Sequence, residues 1–264
     1  MPFASLRALS LYYELHGSGP PLLHISGSGN DLRRSAPAAS PLNDHFLGLH
    51  YDQRGLGRTS LGDRPPAMVD FAEDAAALCE AVGWDRCRVV GTSFGGMVAL
   101  ELAIRRPDLV DRLVLNCTSP GGTTPSYPLH EIQRLPPAER ADAWLPLLDT
   151  RYDPTLDEPI PGFPMSLDLL RSWFGASREG DAEEGFARQL DARRHHDVED
   201  RLGGIVAPTL VCCGRYDGIA PVANSEVIAA GIPASRLEVF DGGHAFMMQV
   251  PAATERAVAF LRDG

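Results

Sequence analysis

The sequence predicts an α/β fold with a mostly parallel, doubly wound sheet and one inserted, mainly helical segment. Two observations carry this prediction. In residues 1–119, short apolar runs alternate with amphipathic stretches, which is the pattern of parallel strands connected by helices. This alternation returns after about residue 204, whereas residues 120–203 mix helical pieces with proline-rich breaks. We therefore expect one core domain that is interrupted by an insertion.

The individual elements follow from local patterns along the chain. Seven short apolar runs are predicted to be strands, at residues 11–15, 22–26, 47–52, 88–91, 110–116, 209–214 and 237–240. Apolar residues at helical spacing predict a helix over 67–82. Good helix formers predict the next helix over 94–106, which must end before Pro107. Two more helices are expected at 221–230 and 251–261.

The composition excludes several classes of function. The formal net charge is −11, and all 24 basic residues are arginines. Such a chain is a poor binder of nucleic acid, and without lysine it cannot form a Schiff base or a Walker-type phosphate site. Because no long apolar run and no signal-peptide pattern occurs, we expect a cytoplasmic protein without a membrane partner. The 5 cysteines lack CxxC spacing and are expected to be free and mostly buried.

The most specific local signal is a G-x-S-x-G motif at residues 91–95, between a predicted strand and a predicted helix. A serine hydroxyl is a weak nucleophile at neutral pH, so a catalytic serine is projected from a tight turn between small residues toward a base. Backbone N–H groups at the start of the following helix can stabilise an anion. The motif makes Ser93 the candidate nucleophile. A glycine-rich turn without chemistry is the alternative.

A nucleophilic serine needs a base, and His244 has the most suitable position among the 8 histidines. It follows the last predicted strand in a glycine-flanked loop, at the sheet edge where Ser93 is also expected. His24 lies inside a predicted strand and is expected in the core. His195 and His196 lie among charged residues and are expected at the surface. We therefore predict that His244 is the general base.

The carboxylate that orients the histidine is predicted to be Asp217, which follows the strand at 209–214 and precedes a helix. A turn or helix-cap aspartate is the structural alternative at this position. Asp241 is the other candidate acid, but it lies only three residues before His244 and is expected to shape the turn.

With these residues the chain resembles the α/β-hydrolase family, whose catalytic residues occur in the same order of serine, acid and histidine. The resemblance covers nearly the whole chain and rests on four segments: YDQRGLGRTS at 51–60, GTSFGG at 91–96, GRYDGIAP at 214–221 and DGGHAF at 241–246. It implies an eight-stranded sheet, a core of residues 1–119 and 204–264, and a helical cap of residues 120–203 over the active site. We expect no metal and no cofactor, and a monomer or homodimer.

The family usually has an HG dipeptide after its third strand, and the next backbone N–H completes the oxyanion hole. In this chain Ser26-Gly27 stands in that place. Enol-lactonases also lack the HG dipeptide in the equivalent loop. The predicted donors are the N–H groups of Ser28 and Phe94, with Gly27 or Gly29 as alternatives.

Aromatic residues of the cap are candidates for an apolar substrate pocket: Tyr127, Trp144, Phe163, Trp173 and Phe174. Each of them could instead belong to the core of the cap. The predicted pocket residues are Trp144 and Trp173 together with Gly27, Met97, Phe246 and Met247.

The family's triad forms an acyl-enzyme that water cleaves, so we predict hydrolysis of a small-molecule ester or lactone. A serine at position 93 argues against dehalogenases and epoxide hydrolases of this fold, which use an aspartate there. Cleavage of a carbon–carbon bond in vinylogous diketones and cofactor-free perhydrolysis use the same triad and stay open. A ligand-binding protein without turnover is a further alternative. A metal-dependent hydrolase would need neighbours such as His195, His196 and Asp197 to converge, which a helix disfavours.

Overall fold

A single mixed sheet forms the centre of the molecule. The computed structural model describes residues 2–6, 9–156, 158–176, 178 and 180–263. Within this part of the chain there are eight strands: β1 (Phe3–Leu6), β2 (Leu9–Gly17), β3 (Pro21–Ile25), β4 (Leu47–Tyr51), β5 (Cys87–Thr92), β6 (Val110–Asn116), β7 (Thr209–Gly214) and β8 (Ser235–Phe240). Their order across the sheet is β1-β2-β4-β3-β5-β6-β7-β8.

The direction of the strands confirms the predicted, mostly parallel sheet of eight strands. β2 pairs antiparallel with both β1 and β4, and all other neighbouring pairs are parallel. The strand that the apolar runs did not indicate is β1, a short edge strand of 4 residues in which only alternate residues are buried. Such a strand has no continuous apolar run, because a single buried face needs an apolar residue only at every second position.

Helices cover the sheet and fill the long connection after β6. The described helices are α1 (Leu32–Ser35), α2 (Met68–Ala81), α3 (Phe94–Arg105), α4 (Leu129–Gln133), α5 (Pro137–Leu148), α6 (Leu167–Gly175), α7 (Asp181–Arg194), α8 (Val222–Gly231), α9 (Phe246–Gln249) and α10 (Pro251–Arg262). Short 3-10 turns occur at Pro37–Ala39, Pro41–Asp44 and Glu199–Gly204. The helices α4 to α7 lie between β6 and β7, so the inserted segment is mainly helical. None of the described helices has the length and apolar character that crossing a bilayer requires.

Alternation along the buried strands shows that both faces of the sheet are covered. Val89 of β5 packs in a cluster with residues of α2, α3 and α8, whereas its neighbour Val90 packs in a cluster with residues of α10. Side chains of successive strand residues point to opposite faces, so these two clusters are the two cores of a doubly wound fold. A third cluster, which includes Leu145 and Leu170, belongs mainly to the inserted segment.

All five cysteines are buried and free. Cys79 and Cys87 have a Sγ–Sγ separation of 3.9 Å, well beyond the length of a disulfide bond.

Candidate active site

Ser93 occupies a sharp turn between β5 and α3. Its backbone has φ 56° and ψ −116°, in the left-handed region that a non-glycine residue adopts only at a cost. Gly91 and Gly95 make this turn possible, because a Cβ at Gly91 would lie 2.5 Å from the Gly95 carbonyl oxygen and one at Gly95 would overlap the Ile25 carbonyl. The motif is therefore held in a strained, close-packed turn that projects the serine side chain.

Two hydrogen bonds fix the Ser93 backbone to the neighbouring strand. The Ser93 N–H donates to the carbonyl of Asn116 at 2.8 Å, and the Thr118 hydroxyl donates to the Ser93 carbonyl at 2.7 Å. Both partners lie at or just after the end of β6, where the parallel register of β5 and β6 brings them alongside the turn.

The structure brings Ser93, His244 and Asp217 into one chain of contacts. The Ser93 Oγ lies 3.0 Å from His244 Nε2, and His244 Nδ1 lies 2.8 Å from Asp217 Oδ2. When the carboxylate accepts this hydrogen bond, the Nδ1 atom carries the proton and Nε2 is left to accept from the serine hydroxyl. The other oxygen of Asp217, Oδ1, accepts the N–H groups of Ile219 and Ala220 at 2.8 and 2.9 Å.

The loop after β3 faces this site and is held at three points. Gln53 Nε2 donates to the Ser26 carbonyl at 2.8 Å, and the Leu32 N–H donates to Asp52 Oδ1 at 2.6 Å. The Gly29 N–H donates to Gln189 Oε1 at 2.7 Å. Because this bond occupies the Gly29 N–H, the alternative that made Gly29 an oxyanion donor loses its support.

Gly27 and Ser28 of the same loop remain beside the serine. A Cβ at Gly27 would lie 3.5 Å from the Ser93 Cβ, and both Gly27 and Ser28 line the cavity that contains Ser93. Within the described residues, the N–H groups of Ser28 and Phe94 donate to no protein acceptor. Both predicted donors are thus unused by the fold at the site.

The cavity beside Ser93 has a volume of about 250 Å³ and a largely apolar lining. Of the residues predicted for the pocket, Gly27, Trp144, Trp173 and Met247 line it. Trp144 stacks on Phe174, another lining residue, with 5.0 Å between ring centroids.

Two predicted pocket residues, Met97 and Phe246, do not line the cavity. Met97 is 2% exposed and lies one turn into α3, on the side that packs in the core with Phe71 and Phe94. Phe246 is fully buried at the start of α9 and stacks on Phe240 at 5.1 Å, on the other face of the sheet. Both residues were predicted to line the pocket because they are close in sequence to Ser93 or His244. Their side chains instead pack in the core.

Cys117 is a lining residue that the sequence analysis did not single out. It follows β6 with φ 45° and is buried beside Thr92 and Ser93. Burial and the nearby charge of Asp217 raise the pKa of this thiol well above its usual range. The thiol is therefore neutral at physiological pH.

The end of α5 in the inserted segment also contacts the loops that carry the triad residues. The His244 N–H donates to the Leu148 carbonyl at 2.6 Å, and the Gly218 N–H donates to the Leu147 carbonyl at 3.0 Å. The residue types did not predict these contacts, because a hydrogen bond to a backbone carbonyl does not depend on the side chain. The YDQRG segment, one of the four on which the family resemblance rests, supplies Gln53 to the loop beside Ser93.

The histidines other than His244 differ in burial. His195 is exposed, whereas His196 is 6% exposed, so the expectation of a surface position was wrong for His196. Burial lowers the pKa of His196 to about 4. In the part of the chain that is described, no group of three or more His, Cys, Asp or Glu side chains is arranged to hold a metal ion.

Known proteins resemble this chain over almost its full length. A family model described as alpha/beta hydrolase fold matches residues 20–251. The "Putative carbamate hydrolase RutD" of Variovorax paradoxus (strain S110) is 31% identical over 269 residues, which cover 95% of each chain.

Among solved structures, the enol-lactonase from Burkholderia xenovorans LB400 has a TM-score of 0.80 and is 26% identical, covering 99% of this chain and 100% of its own. A hydrolase from Pseudomonas aeruginosa has a TM-score of 0.79 and is 29% identical, covering 98% of this chain and 97% of its own. The family match over residues 20–251 and the mostly parallel eight-stranded sheet both indicate the same fold. The chain belongs to the α/β-hydrolase fold family.

Proposed function

We propose that this protein is a serine hydrolase that cleaves a small carboxylic ester or lactone through an acyl-enzyme intermediate. The observation that carries the proposal is the continuous contact from Ser93 Oγ through His244 to Asp217, with separations of 3.0 and 2.8 Å. Three residues from distant parts of the sequence meet in this order at a cavity with room for a small molecule. This geometry is the arrangement that a base-activated serine requires.

Acylation begins when the Ser93 hydroxyl transfers its proton to His244 Nε2 and Oγ bonds to the substrate carbonyl carbon. The carbonyl electron pair moves to oxygen, and a tetrahedral oxyanion forms. His244 then gives its proton to the leaving oxygen as the bond between carbon and that oxygen breaks. Asp217 stays ionised and stabilises the imidazolium through Nδ1–H.

Deacylation repeats these steps with water as the nucleophile. His244 takes a proton from water, the resulting hydroxide oxygen bonds to the acyl carbon, and the proton returns to Ser93 Oγ as the acyl group leaves. The N–H groups of Ser28 and Phe94 are the proposed donors to the oxyanion in both halves of the reaction. Their support is that neither group is used elsewhere in the described fold.

We also propose that residues 120–203 form a cap that closes the substrate pocket. Its support is the lining of the cavity, to which the inserted segment contributes Trp144, Phe163 and Trp173 while the core contributes Ser93 and His244. A cavity built from both parts excludes water from the reacting atoms and selects the substrate by shape.

Hydrolysis of a carbamate is a second candidate function. A relative that is 31% identical and covers 95% of this chain carries the name of a carbamate hydrolase. The chemistry is closely related, because a carbamate also presents a carbonyl carbon with a leaving oxygen or nitrogen. The structural likeness to an enol-lactonase supports the lactone within the first proposal.

The test is the hydrolysis of p-nitrophenyl esters from acetate to decanoate by the wild type and the Ser93→Ala variant. We expect cleavage of short or medium esters and a loss of at least about 10⁴-fold in kcat for the variant, since the residual rate of triad variants comes only from the oxyanion hole and substrate binding. Phenyl carbamate and a simple enol-lactone, assayed in parallel, rank the three substrate classes. Unchanged hydrolysis by Ser93→Ala would overturn the proposal.

A fluorophosphonate probe separates an enzyme from a ligand-binding protein that has lost turnover. We expect the probe to label the wild type at Ser93 and to leave Ser93→Ala unlabelled, because only an activated serine reacts. Absence of labelling in the folded wild type would favour the binding protein.

A further inference from the structure

The cavity that contains Ser93 has a cationic lining, although the chain as a whole is acidic. Three arginines line it, Arg34, Arg140 and Arg178, and among the described residues no aspartate or glutamate does so. The formal net charge of the chain is −11. Charges of one sign inside a cavity with apolar walls focus the electrostatic potential and favour a ligand of opposite charge. The lining therefore differs in sign from the rest of the molecule.

Arg140 already has an anionic partner within the protein. Its Nη1 lies 3.5 Å from Glu183 Oε1, and Gln133 Nε2 donates to the same oxygen at 2.5 Å. Arg34, in contrast, donates to the main-chain carbonyl of Trp173 at 2.8 Å, and its guanidinium lies 5.1 Å from the Trp173 ring centroid. Within the described residues, Arg34 forms no ion pair with a carboxylate.

Of the three lining arginines, Arg178 uses its hydrogen-bonding capacity least. Its guanidinium lies 3.7 Å from the ring centroid of Phe186, and its Nη2 lies 3.5 Å from the Gly29 carbonyl oxygen. Its Nε–H is buried and has no hydrogen-bond partner in the described structure. A partly buried cation without a counter-ion is costly, and a guanidinium offers parallel donors that match the two oxygens of a carboxylate.

The state of Arg178 at neutral pH agrees with such a role. Burial is the main cause that lowers the pKa of Arg178 to about 10; the charges of Arg34 and Arg140 add to it, whereas those of Glu183 and Asp31 act in the opposite direction. The side chain is still cationic near pH 7, but it is held in an environment in which a bound anion would offset the cost of its burial.

The position of Arg178 connects it to the reacting end of the cavity. Its contact, Gly29, belongs to the loop of Gly27 and Ser28, and Gly27 packs against Ser93. A cavity of about 250 Å³ admits only a small molecule. One molecule can therefore present a carbonyl carbon to Ser93 and a second group to the guanidinium.

We propose that the substrate carries a carboxylate, which Arg178 and Arg34 bind while the ester or lactone carbonyl faces Ser93. The inference rests on the proposed function for the reaction, but the anion site itself requires no turnover. Apolar residues such as Trp144 and Phe163 form much of the remaining lining. This favours a singly charged carboxylate on a hydrocarbon frame over a more strongly hydrated phosphate.

The kinetic test compares mono-p-nitrophenyl glutarate, which is an anion, with its neutral methyl ester. We expect the wild type to favour the anion in kcat/KM by at least about 10-fold, the effect of one or two charge-assisted hydrogen bonds. Arg178→Gln should lower kcat/KM for the anion by about 10- to 100-fold and change it for the methyl ester by less than about 3-fold. Arg34→Gln should act in the same direction.

Matched variants separate charge recognition from a structural role. Arg178→Lys keeps the charge and is expected to retain part of the preference for the anion. Arg171→Gln removes an arginine of the same inserted segment that pairs with Asp142 and does not line this cavity, and it should change neither substrate. Equal losses for both substrates in Arg178→Gln, or a wild type without preference for the anion, would overturn the proposal.

A binding measurement keeps this proposal distinct from the proposed reaction. Calorimetric titration of Ser93→Ala with monomethyl glutarate and with dimethyl glutarate needs no catalysis. We expect the anion to bind at least about 10-fold more tightly than the neutral diester, and Arg178→Gln in the same background to abolish the difference. Failure of the anion to bind refutes the carboxylate site even if Ser93 cleaves neutral esters. Binding of the anion without any Ser93-dependent hydrolysis refutes the reaction and retains the site.

Discussion

Asp217 engages both of its carboxylate oxygens, one with His244 and one with its own loop. Oδ2 lies 2.8 Å from His244 Nδ1, and Oδ1 accepts two backbone N–H groups at 2.8 and 2.9 Å. The backbone bonds set the orientation of the carboxylate before any substrate binds. At the scale of single residues, the site is therefore preorganised by hydrogen bonds rather than by packing alone.

This orientation leads to a prediction for Asp217→Asn. Because the backbone N–H groups require an oxygen at Oδ1, the amide NH₂ would face His244 and stabilise the tautomer that cannot accept the serine proton. We expect kcat for a p-nitrophenyl ester to fall by about 10³- to 10⁴-fold while the melting temperature changes little. Asp241→Asn, an exposed aspartate near His244 in sequence, is the matched control. A comparable loss there would reassign the acid.

Gly95 is a position where even one added carbon should be harmful. A Cβ on Gly95 would overlap the Ile25 carbonyl and lie 2.6 Å from the Ser26 oxygen. Gly95→Ala must therefore move the start of α3, and with it the Phe94 N–H. We expect the free energy of unfolding in urea to fall by about 1–3 kcal/mol, together with a lower kcat. Gly204→Ala, which meets no atom within 4 Å, should leave both unchanged.

At the scale of elements, the end of α5 is joined to the two loops that carry Asp217 and His244. Besides the hydrogen bonds that the Leu147 and Leu148 carbonyls accept, the Thr150 N–H donates to the Tyr216 carbonyl at 2.9 Å. Gln249 of α9 completes the connection, since its Oε1 accepts the Gly243 N–H at 2.8 Å and its Nε2 donates to Asp149 at 2.8 Å. The inserted segment is thus part of the support of the histidine loop.

The buried Asp149 is the charged centre of this connection. Burial acts to raise the pKa of Asp149, but the hydrogen bonds from Arg151 and Gln249 outweigh it, and the pKa lies below its usual value. Arg151 binds both carboxylate oxygens, at 2.9 and 2.7 Å, and its guanidinium lies 4.1 Å from the Tyr216 ring centroid. The carboxylate remains ionised and anchors the loops on both sides.

We predict that Gln249→Met, which keeps the volume and removes the hydrogen bonds, weakens catalysis more than it weakens the fold. Small displacements of a catalytic group are costly, so kcat for a p-nitrophenyl ester should fall by about 10- to 100-fold. Glu255→Gln, an exposed change on the following helix, is the control. If kcat of Gln249→Met matched the wild type, the connection would be structural only.

At the scale of the whole molecule, buried neutral histidines connect stability to pH. His50 is 4% exposed and His196 is 6% exposed. Burial lowers the pKa of His50 to about 3, with the neighbouring His24 and His16 adding to the effect, and burial lowers the pKa of His196 to about 4. Both side chains are neutral in the folded protein at any pH above these values.

The sign of the pH dependence follows from these directions. Below about pH 6.5 the unfolded chain takes up protons on these histidines whereas the folded chain does not. We therefore expect the free energy of unfolding to decrease from pH 6.5 toward pH 4, by up to about 1.4 kcal/mol per pH unit for each histidine. Urea unfolding at several pH values measures this slope.

Two histidine variants test the source of the acid sensitivity. His50→Gln should make the slope shallower, because it removes one group that only the unfolded chain protonates. His195→Gln, at an exposed position that follows α7, should leave the slope as in the wild type. Identical slopes in all three proteins would contradict the prediction.

The architecture and most of the local geometry can be predicted from the amino-acid sequence. Apolar runs, helical spacing and good helix formers predict seven of the strands and the four helices α2, α3, α8 and α10, because burial imposes its periodicity directly on the chain. The G-x-S-x-G motif predicts the turn at Ser93, since the turn depends on glycines that are neighbours in sequence. The order of Ser93, Asp217 and His244 also follows from where the predicted strands end. The edge strand β1, with one buried face and 4 residues, leaves too weak a pattern.

Which residues face the cavity, and which support the residues that do, depends on how distant parts of the chain pack together. Met97 and Phe246 are near Ser93 and His244 in sequence, yet the helices that carry them turn both side chains into the core. Gln189 and Arg178 contact Gly29 across separations of 160 and 149 residues. Local sequence patterns predict whether a side chain is buried. They do not predict which distant residue it contacts, because that depends on how the inserted segment packs over the sheet.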